Sequence, residues 1–263
     1  MKHQDELLFL AKQAAINAGF EILRHYNDFE VSLKKDKSPV TTADIASNNI
    51  IFKILEQTKI PICSEEKILT NNSDMFWLID PLDGTSGFIE KSSEFCICIS
   101  LVKNFTPILG VIFIPMTNEL FYGSENGAFK EKLDNNYKVN SVINLNEIVC
   151  DKGIVYASHQ SDDIKHNSLA NKLGFRPQKL GSAIKFCRLA ETSGIYLRMG
   201  PSSIWDNCAG DALMRSCGGI AIDVYTKEPM TYSVTKLKSP FFICISKEFI
   251  DKKDEILRHV FEV

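Results

Sequence analysis

The stretch FWLIDPLDGTSGFIE, residues 76–90, constrains this chain more than any other. Four apolar residues run into Asp80, Pro81 and Leu82 follow, and then come Asp83, the turn-forming Gly84 and Thr85. A short apolar run bounded by turn signals reads as a buried strand. Two acids at its end would then stand at the rim of a sheet, where side chains reach solvent while the strand does not.

Two more acidic groups share this design. Glu65 and Glu66 follow IPIC, and Asp206 follows IW and opens a helix. Alone, each has an ordinary explanation: a helix cap for Asp206 and a solvated turn for Glu65 and Glu66. Together they would be different, because converging carboxylates must protonate or share a cation. With no histidine or cysteine among them the donor set is hard oxygen, the preference of magnesium, manganese or calcium. Pro81 stiffens the turn so that the Leu82 carbonyl can point inward as a neutral ligand, and Asp80 can bridge two ions. Gly84, lacking a β-carbon, lets a phosphoryl oxygen approach the amides of Gly84, Thr85 and Ser86. That combination suits two-metal hydrolysis of a phosphate ester. An aspartyl-phosphate loop of the D-x-D-G-T type would need an acid where Pro81 stands, and no P-loop motif occurs.

Around this stretch the pattern predicts a helix over residues 3–26 and another over 44–57, capped by Thr41, Thr42 or Asp44. The polar segment KKDKSPVTTAD between them reads as a loop or short hairpin. Strands are expected in IPICSEE, FWLIDPLDG, EFCICISLV and PILGVIFIP, the last two paired across a turn near 103–106. Residues 125–152 are polar and mark the expected boundary between an N-terminal half (1–150), carrying most of the acids, and a C-terminal half (151–263), carrying Asp206. In the second half strands and helices alternate, which favours α/β, while the first runs helices and then strands in an α+β manner.

A formal charge of −3 gives no general attraction to nucleic acid or anionic lipid, so any phosphate recognition must be local. The N-terminal segment is broken by Lys12, Gln13, Asn17 and Glu21, which reads as an amphipathic helix and not a signal peptide. No run approaches the ~18 apolar residues of a membrane span. A cytoplasmic location is expected, with peripheral contact on the cytoplasmic face of the inner membrane left open. The eight cysteines sit mostly within apolar runs and read as reduced, buried thiols. Cys96 and Cys98 fall on one face of a strand. Zinc is not expected, since no histidine or second cysteine pair has the spacing for it.

Taken together, SPVTTAD (38–44), SEE (64–66), DPLDGT (80–85), GSAIKFC (181–187) and GPSSIWDNCAG (200–210) resemble the inositol monophosphatase superfamily. Within it, they are most similar to the CysQ-type 3'(2'),5'-bisphosphate nucleotidases. The resemblance spans nearly the whole chain, and D-P-x-D-G-T followed by W-D-x-x-A-G is a specific pair. It implies a layered αβαβα sandwich and metal ligands at Glu65, Asp80, the Leu82 carbonyl, Asp83 and Asp206. It further implies two or three magnesium ions, with manganese able to substitute, and sensitivity to lithium. Thr85 backed by Asp44 would orient and deprotonate the water, since a neutral hydroxyl is a poor base unaided; Glu66 would support the same water or metal. Ser158, His159, Gly181, Ser182 and Lys185 match the nucleotide side of the pocket. Ser86 stands where that branch carries a lysine, and Cys208 replaces an alanine.

The activity implied is magnesium-dependent removal of the 3'-phosphate of adenosine 3',5'-bisphosphate, a small-molecule phosphate ester. The alternatives are an inositol or sugar monophosphatase with the same metal core and, less favoured, a non-catalytic nucleotide sensor. Oligomeric state is not legible.

Overall fold

Leu7, Ala11, Ala14, Ala15, Ala18 and Ile22 recur at spacings of three and four, so one face of helix α1 (Lys2–His25) is apolar and narrow. In the computed structural model, which describes residues 2–71, 73–150 and 152–262, that face packs with helix α2 (Thr42–Leu55) on a large sheet. Residue 151, where the C-terminal half was expected to begin, lies outside the described residues.

The sheet under α1 and α2 has seven strands in simple sequence order: β3 (Ile62–Ser64), β4 (Met75–Asp83), β5 (Cys96–Lys103), β6 (Thr106–Ile114), β7 (Glu119–Ser124), β8 (Gly127–Leu133) and β9 (Val139–Asn144). Only β3 and β4 run parallel; the other neighbours are antiparallel. A small hairpin of β1 (Val31–Leu33) and β2 (Pro39–Thr41) stands apart and carries the chain into α2, and the short helix α3 (Thr85–Ile89) follows β4. β4 and β5 read as continuous apolar runs because both of their faces are covered. Trp77, Ile79, Ile97 and Ile99 face the α1–α2 layer, whereas Phe76, Leu78, Cys96 and Cys98 face the other way. Each fully buried isoleucine or leucine there contributes about 1.5–3 kcal/mol.

The remaining chain forms a five-stranded sheet in the order β11 (Arg176–Lys179), β10 (Ile154–Ala157), β12 (Gly194–Arg198), β14 (Phe242–Ile245), β13 (Ile220–Asp223). Helices α5 (Ile184–Glu191) and α6 (Ile204–Ser216) lie between the two sheets. Helices α4 (Asp163–Leu173) and α7 (Lys253–Phe261) cover the outer face of the second. The result is the αβαβα order that the resemblance implied.

The segment 125–152, where the boundary was expected, holds the end of the large sheet, and the second sheet begins after it at Ile154. β8 and β9 lie within this segment and continue the large sheet, and β9 is an exposed edge whose Val139, Val142 and Ile143 do not follow the period-two alternation of a strand. The two sheets, moreover, share one buried cluster through α5 and α6, from Cys63 to Cys244. Among the described residues no helix is long and apolar enough to cross a membrane.

Candidate active site

Residues three apart in a regular strand point to opposite faces. Asp80 and Asp83 do not, because the ladder between β4 and β5 slips across the D-P-L-D turn: Asp80 pairs with Cys98 and Asp83 with Cys96. Cross-strand partners share a face, and Cys96 and Cys98, two apart, share theirs. The extra residue of this bulge therefore turns both aspartates toward the central helix layer. Pro81, with no amide hydrogen to lose, suits the break in pairing. Its carbonyl accepts from Ser47 Oγ at 2.6 Å, and Asp80 Oδ1 accepts from the Leu82 amide at 3.0 Å.

Asp206 arrives from α6. It is the third residue of that helix and its Oδ2 accepts from the Ser203 amide at 2.9 Å, closing a capping box. The ordinary cap and the candidate site acid are thus the same side chain. Glu65 follows β3, which lies beside β4. Asp80 is 2% exposed, and burial, followed by the charges of Glu65, Asp83 and Asp206, pushes its carboxyl well above the usual range. Burial raises Asp83 as well. Asp206 is pushed up to about 7, first by burial and then by Asp83.

Among the described residues none of Asp80, Asp83 and Asp206 has an ion-pair partner. Lys185 and Arg198 offset part of the charge on Asp83, and Arg198 part of that on Asp206, but neither pairs directly with them; acids gathered so in low dielectric fit a hard divalent cation. Glu65 is different. Lys34 Nζ, from the β1–β2 hairpin, lies 2.5 Å from Glu65 Oε1 and 2.7 Å from Glu66 Oε1. Burial works against the Lys34 charge, yet the two glutamates together hold its ammonium above the usual lysine range. A metal that takes Glu65 must share it with Lys34 or displace it.

Thr85 and Asp44, far apart in sequence, meet. Asp44 is the third residue of α2; its Oδ2 accepts from the Thr41 amide and hydroxyl at 2.7 and 2.6 Å, which completes that helix's capping box. Its Oδ1 accepts from Thr85 Oγ1 at 3.0 Å, and the same hydroxyl lies 3.1 Å from the Leu82 carbonyl. Burial raises the Asp44 carboxyl despite these bonds. Gly84 between them sits at φ +96°, and a β-carbon there would stand 2.8 Å from the Glu94 carbonyl. Only glycine passes at that point.

A cleft of about 750 Å³ opens over these groups. Asp83, Gly84, Thr85, Ser86 and Asp206 line it together with Ser158, His159, Gly181, Ser182 and Lys185, whereas Asp44, Glu65, Glu66, Asp80 and Leu82 are outside its lining. Lys185 is 2% exposed, its Nζ bonded to the Leu180 and Ser182 carbonyls, and burial pulls it down to about 8. It is not the solvated lysine that a helix position suggests.

Three functional candidates escaped the sequence reading. Arg198, at the end of β12, lines the cleft, bonds Ser158 Oγ and the Pro201 carbonyl, and keeps a buried Nε with no partner. A lone arginine in the apolar run GIYLRM was the available signal. Glu94 Oε2 accepts from the Gly181 amide at 2.6 Å and stands 2.6 Å from His159 Nε2. Lys34 is the third, one lysine among several in a polar loop.

A sequence profile of the inositol monophosphatase family matches residues 3–241. The chain belongs to that family. Among curated family members, the 3'(2'),5'-bisphosphate nucleotidase CysQ of Buchnera aphidicola is 37% identical over 233 residues, covering 85% of this chain and 86% of its own. CysQ of Escherichia coli K12 is 33% identical, covering 84% and 92%. The crystal structure of CysQ from Bacteroides thetaiotaomicron superposes with a TM-score of 0.79 at 30% identity, over 92% of this chain and 97% of that one. A Thermotoga maritima inositol monophosphatase, 22% identical with a TM-score of 0.71, shares the fold.

Proposed function

We propose that the chain is a magnesium-dependent phosphomonoesterase that removes the 3'-phosphate of adenosine 3',5'-bisphosphate, giving AMP and inorganic phosphate. The observation that carries the reading is the gathering of Asp80, Asp83 and Asp206, none of them in an ion pair among the described residues, near the bonded pair Thr85 and Asp44. The names and similarity of the CysQ relatives support the choice of substrate.

Glu65, Asp80, the Leu82 carbonyl, Asp83 and Asp206 would hold the two or three magnesium ions, with manganese able to replace them. When bound, they lower the pKa of the attacking water and neutralise charge on the leaving oxygen. The protein's own groups supply the rest. Gly84, Thr85 and Ser86 line the cleft, and their amides would take phosphoryl oxygens. Thr85 Oγ1 accepts a proton from the water as its own passes to Asp44 Oδ1, 3.0 Å away. The raised pKa of Asp44 suits a group that must receive that proton. Glu66, half-buried behind Glu65 and tied to Lys34, supports the position of its neighbour.

In the same cleft, Lys185 and the free Nε of Arg198 would meet the second phosphate, which a simple sugar phosphate lacks. Ser158, Gly181 and Ser182 line the same wall, with His159 held by Glu94 at its edge. Ser86, where the nucleotidase branch carries lysine, removes one positive charge and is the feature that favours an inositol or sugar phosphate as the second reading.

The test is kcat/KM for adenosine 3',5'-bisphosphate and inositol 1-phosphate measured side by side in magnesium. Preference for the nucleotide supports the proposal, and preference for the inositol ester overturns the substrate. Binding without turnover would mean a sensor.

A further inference from the structure

Directly across the strand pair from the acidic turn lie two thiols that the proposed reaction does not use. Cys96 Sγ stands 3.9 Å from Cys98 Sγ and 3.8 Å from Asp83 Oδ2, and all three ligand atoms fall within 4.8 Å of one another. We propose that Cys96, Cys98 and Asp83 form a second metal site, for a thiophilic d10 ion such as zinc, that competes with magnesium for Asp83.

The distances favour a metal. A tetrahedral zinc ion with bonds of about 2.3 Å to sulfur and about 2.0 Å to oxygen separates two sulfurs by about 3.8 Å, and a sulfur from an oxygen by about 3.5 Å. The Cys96–Cys98 and Cys96–Asp83 separations are within a few tenths of an ångström of these values, and Cys98 and Asp83, within 4.8 Å of each other, would draw closer on ligation. A disulfide fits poorly, because side chains two apart on one strand spring from positions about 6.6 Å apart, whereas a disulfide requires Cβ atoms about 3.5–4.5 Å apart. β5 would have to break to form it.

Spacing along the sequence hides this site, because the third ligand is thirteen residues upstream and reaches the thiols only through the bulge in β4. The same bulge makes the competition. Asp83 lines the cleft, while Cys96 and Cys98 are 0% and 1% exposed behind it, so an ion enters past Asp83. Two thiolates draw a soft ion, whereas magnesium has no use for them. Ligation releases about two thiol protons per ion to solvent.

Cadmium serves as the probe, titrated into the magnesium-free full chain while the ultraviolet sulfur-to-cadmium charge-transfer band and proton release are recorded. One ion per chain is expected, with about two protons released. Cys96→Ala and Cys98→Ala, with Cys98→Val as the volume-conserving second choice, should abolish the band, and Cys63→Ala should leave it. In the activity arm, zinc should shift the magnesium saturation curve of the wild type at least about tenfold to higher concentration, but not that of Cys98→Val. A folded wild type with no band, or a band that survives in the Cys96→Ala, Cys98→Ala double variant, overturns the proposal. The spectroscopic arm needs no substrate, so its failure is separate from failure of the proposed phosphatase activity.

Discussion

Thr85 donates its hydroxyl to Asp44 across 3.0 Å, and that bond ties the cap of α2 to the turn after β4, forty-one residues away. If the pair moves a proton, Asp44→Asn should lower kcat by about 10²–10⁴-fold with KM little changed. An amide oxygen can still accept from the Thr41 amide, so stability should shift by no more than about 1 kcal/mol. Steady-state kinetics with a thermal melt read both, and undiminished kcat removes Asp44 from the chemistry.

Lys185 shows the opposite balance. Burial pulls it down to about 8, so its ammonium costs folding free energy while it stands ready for an anion. Lys185→Met should raise the melting temperature and lower kcat/KM for the bisphosphate at least about tenfold, the worth of one charged hydrogen bond. The inositol ester, with no second phosphate, should lose less. Equal losses for both would place Lys185 at the reacting phosphate instead.

Asp206 makes the metal-free protein pH-sensitive. Its carboxyl is pushed up to about 7 in the fold, from an ordinary value of 3.8. Between these values the folded chain keeps a proton that the unfolded chain releases, so this contribution to stability is full below the lower value and is lost as pH rises through about 7. Melting temperatures of the magnesium-free protein should fall across that window relative to Asp206→Asn, and magnesium should restore the wild type at its upper end. A parallel pair of pH curves would contradict the assignment.

Gly84→Ala probes the turn itself. The positive φ and the 2.8 Å approach of the Glu94 carbonyl leave no place for a methyl group. A loss of about 1–3 kcal/mol in stability is expected, together with lower turnover, because the amides of residues 84–86 must shift. Denaturant titration checks it; a neutral substitution would mean that the turn adapts freely.

Much of this was legible in the residues themselves. Apolar runs marked β4 and β5, the pattern S-P-V-T-T-A-D carried its helix cap, and D-P-L-D-G-T carried the turn. The hidden parts depend on distant contacts. Nothing local shows that Asp80 and Asp83 share a face, since strand periodicity says otherwise until the bulge is known. Lys185 looks solvated until α5 is buried between two sheets. Arg198 and Glu94 acquire meaning only when the second sheet brings β12 and the 181 turn against the first. β9 leaves Val139, Val142 and Ile143 exposed and off a period-two alternation, so its residues carry no strand pattern.

The most direct test of the site as a whole is equilibrium binding of manganese, counted by the paramagnetic resonance of the free ion, in the wild type and in Asp80→Asn. Asp80 is the most buried of the four acids and faces the other three. At least about tenfold weaker binding is expected in the variant, with its fold intact by circular dichroism. Equal affinity in the two proteins would contradict such a site.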